Sequence, residues 1–549
     1  MNVSLFSGKP TKAQKSRLDE IALRGFGGGW NDVDKDTNME AKYQPELLNF
    51  RRTPSGAQKL RWGTKVFANV SPSVTGNIVD MEYFTSKLIV VTSTGQIAAV
   101  DSTGASVAIW NSTIAAGLPG APIGWSAVTQ VDFVPWKDQL IIHNGVDKPV
   151  IINAAYAVKY LSDPASGSTL AVPVGKYGCV ASNYHCVSGV KFSPTSGAPV
   201  TPTTLYISSK GTSGTFPSDP LPNDSISIDV GAYAPSGAPE ILGIAGYRQF
   251  LIVFFRGQSL IIELGKYDEA TPPVHQPDFV DEMPQFGLIN HRCMAAIEND
   301  LHFAGYDGMA SAKRNLFSGS IESKFMSALI EPAWRADLPT VPVASPYMIH
   351  NSIDHCTYLF TNDAVGTTYV HQANPQLRYE SWTRYEGPGF KTVCGCKSFL
   401  GRVYLGGHVN QRTTIYQIGN DIFPGEEYHA DMMTTSADTS GNNIPFTFEL
   451  PWVDGRTPMR VKQLRFMSID SRGTAPFRVD AYVDFNTTSA LNMSFVGNEA
   501  SSGLKSNDPQ LYGFPLKFKA VKIKITGSAK EPLTIAGIRY LFSKGRFRR

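Results

Sequence analysis

Between Ile78 and Ile418 one pattern of apolar and polar positions recurs. An apolar run leads through a polar turn to a strongly apolar run, then through a tight turn to another. The first copy is Ile78–Met81, Lys87–Val91 and Gly95–Val100; the second is Val131–Val134, Gln139–His143 and Pro149–Ile152. The third opens at Gly178–Ala181 and closes, after an insertion, at Thr204–Ser208. The fourth, Ile241–Ile244, Phe250–Phe254 and Ser259–Leu264, is the clearest. Three more start at Cys293, His355 and Gly401. Nearly continuous apolar strands fit sheets covered on both faces. Repeated meanders of roughly 40–50 residues are the pattern of a β-propeller, because one small sheet must stack on the next and ring closure protects the edges. Unit one either forms its own blade or completes the last, so the expectation is six or seven blades. Degenerate spacing, without a WD or kelch signature, leaves a β-sandwich of irregular hairpins as the alternative.

After Gly419 the texture changes. A polar run, Thr434–Asn443, reads as an exposed loop. Alternating strands follow from Pro445 to Phe542, each with one wet face, which predicts a small sandwich or jelly roll. Lys517, Lys519, Lys522 and Lys524 fall on such a wet face. Ahead of the repeats, Thr11–Arg24 has helical spacing of Leu18, Ile21 and Ala22, and Gly25–Gly29 reads as a flexible linker. The expected division is an arm and docking segment over 1–70, a propeller over 71–425 with an insertion at about 155–235, and a C-terminal β-sandwich over 426–549.

Composition sharpens the functional side by exclusion. Hydrophobic residues at 42%, with 49 Gly and 36 Pro in 549 residues, suit a turn-rich all-β chain. A net charge of +3 gives no global case for nucleic-acid binding. The local exception is Lys544-Gly545-Arg546-Phe547-Arg548-Arg549, fit for an acidic partner surface or a phosphate backbone. No apolar run reaches a membrane span, and the first residues lack a secretion signal, so assembly in a cytoplasm is expected.

The six cysteines, Cys179, Cys186, Cys293, Cys356, Cys394 and Cys396, lack metal-ligand spacing and read as packed thiols. No phosphate loop, G-x-S-x-G or H-E-x-x-H occurs. His291, His302 and His350 sit in or beside strands. Carboxylates near blade turns, Asp132, Asp300, Asp307 and Asp281-Glu282, are the candidates for a glycosidase pair. They come without Asp-box repeats. The expectation is no enzyme, no cofactor and no metal.

Four stretches carry a resemblance. The first is Pro45-Glu46-Leu47-Leu48-Asn49-Phe50 followed by Arg61-Trp62-Gly63-Thr64. The others are Thr204–Ile228, Ile241–Leu264 and Gly287–Gly308, with Ser381–Tyr385 as a further blade end. In this order they resemble the tail nozzle and packaged-DNA stabilisation proteins of short-tailed phages. The resemblance implies a structural virion protein assembled in the host cytoplasm. It implies a homo-oligomeric ring, expected to be a hexamer, that meets the adaptor ring and the tail fibres or spikes. Such a ring touches genomic DNA only transiently, during retention and ejection. Leu47, Leu48, Asn49, Phe50, Arg61, Trp62 and Gly63 are the expected structural docking residues. The alternatives are a propeller adhesin reading glycans through loops such as Gly124-Trp125 or Pro135-Trp136, or a receptor-binding tail protein, and, behind these, a glycosidase.

Overall fold

The computed structural model describes residues 19–544, apart from short internal segments of which the longest are 115–124, 163–171, 432–440 and 496–511. The arm supplies seven short strands, of which five are used below: β1 (Asp19–Arg24), β2 (Glu46–Leu48), β3 (Phe50–Arg52), β4 (Gln58–Leu60) and β5 (Thr64–Asn69). The helix expected over 11–24 is therefore corrected for residues 19–24, while 11–18 lie outside the described residues. A distant partner decides the matter: β1 pairs antiparallel with the strand holding Ile538, Tyr540 and Phe542. A tertiary partner overrides weak local helical spacing.

Four-stranded antiparallel sheets span 78–110, 132–160, 177–229, 243–284, 294–325 and 347–385. A seventh consists of Cys394–Lys397, Val403–His408 and Gln411–Ile418, and β5 completes it from the other end of the chain. The fold is an all-β, seven-bladed propeller. The strand that closes the ring is β5, not part of the first repeat, so the propeller begins at Thr64 rather than after residue 70. The span 155–235 is no insertion. It carries the last strand of blade two, Val158–Tyr160, and the whole of blade three, whose long loops stretch the repeat. Two strands are used below: β6 (Asp278–Pro284), outermost in blade four, and β7 (Tyr379–Tyr385), outermost in blade six.

Ring closure by β5 is a packing event as well as a ladder. Ala68 is 5% exposed and sits among Val90, Ala98 and Tyr404, between blades seven and one. Ala68→Asp is expected to lower stability by about 3 kcal/mol in chemical denaturation, because it buries a carboxylate with no counter-charge. The exposed neighbour Asn69→Asp is the control and should change little.

The sandwich comprises β8 (Ile444–Glu449), β9 (Lys462–Gly473), β10 (Phe477–Val483), β11 (Leu491–Phe495), β12 (Val521–Ala529) and β13 (Leu533–Lys544). One sheet runs β11-β10-β12-β8-β2-β7; the other contains β9, β13, β4 and β3, with β1 also on β13. The sandwich is thus not purely C-terminal, since four arm strands complete it. Through β2 its first sheet continues without a break into blade six. Most of the loop expected at 434–443 lies outside the described residues. No helix among the described residues is long and apolar enough to cross a membrane.

Candidate functional site

The best-formed polar arrangement lies where the arm passes between propeller and sandwich. Strand β2 is squeezed between two others. Leu48 pairs in parallel with Arg384 of β7 and antiparallel with Thr447 of β8. Leu47 is buried, and its carbonyl accepts from Thr383 Oγ1 at 3.2 Å. Phe50 packs edge-on against Phe446 and Phe448, at 5.7 and 5.9 Å between ring centres.

Between the two apolar anchors Asn49 takes a left-handed backbone, φ 62°, a conformation that Asn tolerates better than most residues. Its side chain is used at both ends. Nδ2 donates to the Glu386 carbonyl at 2.9 Å and the Pro445 carbonyl at 2.6 Å. Oδ1 accepts from the Glu386 N–H and from Arg61 Nε, both at 2.8 Å. One amide thereby ties the arm to blade six, to the sandwich and to itself.

Arg61 is fully buried. It forks onto Asp431 at 3.0 and 2.7 Å and donates to the carbonyls of Trp62 and Glu386 at 2.9 and 3.0 Å. Its guanidinium lies 4.4 Å from the centre of the Phe390 ring. A buried pair of this kind repays its desolvation only when the remaining donors are satisfied, and here the carbonyls do that. Trp62 packs at a tilt against His429 and lies under Lys59 and Arg51, with cations 4.1 and 4.8 Å from its ring centre. The Gly63 N–H donates to Tyr428 O at 2.7 Å, and a Cβ there would overlap the Ala430 carbonyl. All seven docking residues thus lie along one joint.

The Gly-rich stretch is also packed rather than a free linker over Phe26–Gly29. Gly29 (φ 73°) pairs with Trp382 so closely that a side chain would strike the β7 backbone. Sequence reasoning missed Asp431, which nothing nearby marks as special, because its partner is 370 residues away.

A second cluster lines the propeller axis. Asp80, Glu82, Asp132, His291 and Arg292 face a cavity of about 180 Å³ between the inner strands. Burial pushes the carboxyls up, Asp80 to about 6 and both Glu82 and Asp132 to about 7, and neighbouring carboxylates add to the rise at Glu82 and Asp132. Arg292 lies 3.7 Å from Asp80 and donates to Val393 O at 2.8 Å. Asp132 accepts the Gly178 N–H at 2.7 Å. Burial, with Arg292 nearby, pushes His291 down to about 3.

The other glycosidase candidates lie elsewhere. Asp300 accepts from Ser311 in blade five, Asp307 faces Arg335 in a turn, and Asp281-Glu282 sit on β6. No acid–nucleophile pair is assembled from them. Trp125 and Trp136 are each 4% exposed, so the two aromatics named for glycan reading are core residues.

Five of the six cysteines are buried, and burial raises their resolved pKa values, Cys293 to about 12. His185, beside Cys186, faces His143 instead, with 3.1 Å between Nε2 atoms. His185 Nδ1 lies 2.7 Å from Ser213 O, so it carries the proton there and its Nε2 accepts from His143. His302 and His350 share the Thr357 hydroxyl at 3.2 and 2.9 Å. Among the described residues no group of three or more His, Cys, Asp or Glu is placed to hold a metal. Lys522 and Lys524 meet Glu449 at 2.6 and 3.2 Å, and Lys524 also meets Glu46 of β2 at 2.5 Å. These two lysines are paired with acids rather than set out as a phosphate track.

No protein-family model matches the sequence, and no curated protein does. Among solved structures, the chain is similar to one in a crystal structure of a mitotic checkpoint complex, at 9% identity and a TM-score of 0.37. That match covers 64% of this chain and 94% of the other. It is also similar to BamB from Moraxella catarrhalis, at 11% identity and a TM-score of 0.33, over 74% of this chain and 98% of that one.

Proposed function

We propose that this chain is a structural assembly subunit, and that its assembly is the distal tail ring of a short-tailed phage. The observation that carries the first part is the joint at Asn49, Arg61 and Asp431. This polar arrangement is closed to solvent and joins three parts of one chain. It is built to hold a shape, not to turn over a substrate. The second part rests on the sequence resemblance of the arm and blades to tail nozzle and DNA-stabilisation proteins.

In this reading propeller and sandwich act as one rigid brick, and copies close into a ring around a channel through which DNA passes. A nearly neutral subunit suits that task, since a strongly basic wall would hold the phosphates it must release.

Electron microscopy of the purified protein, alone and mixed with a phage adaptor ring, tests it. The expected image is a closed ring seated on the adaptor. Isolated monomers at micromolar concentration, with and without adaptor, would overturn the assignment.

A further inference from the structure

The outer edges of the blades differ in charge. Blades one, two and three end in Ser106–Trp110, Val158–Tyr160 and Ile226–Asp229, which carry no charge, one lysine and one acid. Blade five ends in Ile321–Phe325, with one acid and one lysine. Blade six is covered by β2, and β5 brings a lysine to blade seven. Blade four alone ends in a long acidic edge, β6, reading Asp-Phe-Val-Asp-Glu-Met-Pro.

A bulge arranges these acids. Ile261 pairs with Asp281, and Ile262 pairs with Phe279, so Val280 is the extra residue. Without it Asp278 and Asp281 would point to opposite faces. With it both share the face of Ile261, while Phe279 and Glu282 share the other. Phe279 stacks on Tyr233 at 3.9 Å, and Val280 is 46% exposed. Charge and bulge together discourage indiscriminate pairing at an edge. The same charges favour a basic strand over any other.

A segment of matching chemistry follows the last strand of the sandwich. Gly545-Arg546-Phe547-Arg548-Arg549, directly after β13, holds three cations and no acid. Extended, it sets Arg546 and Arg548 on one face and Phe547 with Arg549 on the other. That alternation complements Asp278 and Asp281 on one face of β6, and Phe279 with Glu282 on the other.

We infer that segment 545–549 of one copy docks as an added strand on the β6 edge of a second copy. The inference rests on reading the chain as a self-assembling subunit, and it names one contact between copies.

The test is disulfide trapping between two full-length proteins of different mass, one carrying Phe547→Cys and the other Val280→Cys, under mild oxidation. The expected product is a heterodimer with a bond between 547 and 280. Arg546→Glu with Arg548→Glu should cut its yield at least about tenfold, and adding Asp278→Lys with Asp281→Lys on the partner should restore it. Circular dichroism of each variant checks that it folds. Rings seen by microscopy without this cross-link overturn the contact and leave the ring standing. Monomers without the cross-link overturn both. A bond formed within one chain carrying both cysteines, at concentrations too dilute for association, overturns the second copy as occupant.

Discussion

Replacing Asp431 with Ala lowers the stability of this protein by about 3–5 kcal/mol, read as an earlier midpoint in chemical denaturation. The reason is the partner left behind. Arg61 is fully buried, and without Asp431 its charge has two carbonyls, Asn49 and an aromatic face, but no anion. The double replacement Arg61→Met with Asp431→Leu should recover much of the loss, because it removes both charges and keeps the volume. Asn49→Ala should be costly for another reason. It leaves the Glu386 N–H without its acceptor and forces Ala into the left-handed region. Equal stability of Asp431→Ala and the unchanged protein would mean that the joint is ornamental.

At pH 8, Asp132→Asn stabilises the protein by about 2 kcal/mol, and at pH 4 it changes little. The sign follows from burial. In the folded state Asp132 titrates near 7, above the ordinary value of 3.8. Folded protein therefore binds more protons than unfolded chain between those values, and stability falls as pH rises through them. Above about 7 the cost is complete, and the neutral amide escapes it while still accepting the Gly178 N–H. The side chain keeps 18% exposure, which holds the effect below the full value of the shift.

Glu82→Gln should behave alike. The buried histidines act in the opposite direction. His185 and His350 titrate near 4 and 3, so the stability they allow is complete above 6.5 and is lost as pH falls below it. The difference between variant and parent, followed by denaturation from pH 4 to 8, isolates the carboxylate from them. A variant no more stable than its parent at pH 8 would show that Asp132 is well compensated in this cavity.

The blades were legible because their inner strands are buried on both faces. Leu88–Val91, Leu140–His143 and Phe250–Phe254 are unbroken runs of buried residues, and no surface alternation blurs them. The hairpins joining them were less visible. Thr85, Lys137, Asn183 and Arg248 take positive φ in two-residue turns, where Gly would have been the sequence signal.

The arm was half legible. Leu47, Phe50 and Trp62 stood out as apolar anchors in a polar stretch. What they dock on did not, since β8 and Asp431 lie nearly 400 residues downstream, and β1, β2 and β5 likewise pair with strands more than 300 residues away. For the same reason Asp19–Arg24 looked helical: nothing local reveals β13. Trp125 and Trp136 looked like loop aromatics because flanking Gly and Pro mark turns, whereas packing between blades buries both. The position of Asp132 near a blade turn fits a catalytic carboxylate, but its neighbours Asp80 and Glu82 come from the preceding blade, which nothing local reveals.

The claim on which the rest depends is that the arm welds propeller and sandwich into one body. Hydrogen exchange of the intact protein, resolved over residues 46–63, tests it most directly. The account predicts that the amides of Asn49, Arg61 and Gly63 exchange as slowly as those of β8 and the inner strands of blade six, opening only when the whole body unfolds. Fast exchange over 46–63, with the propeller and sandwich still protected, would contradict it.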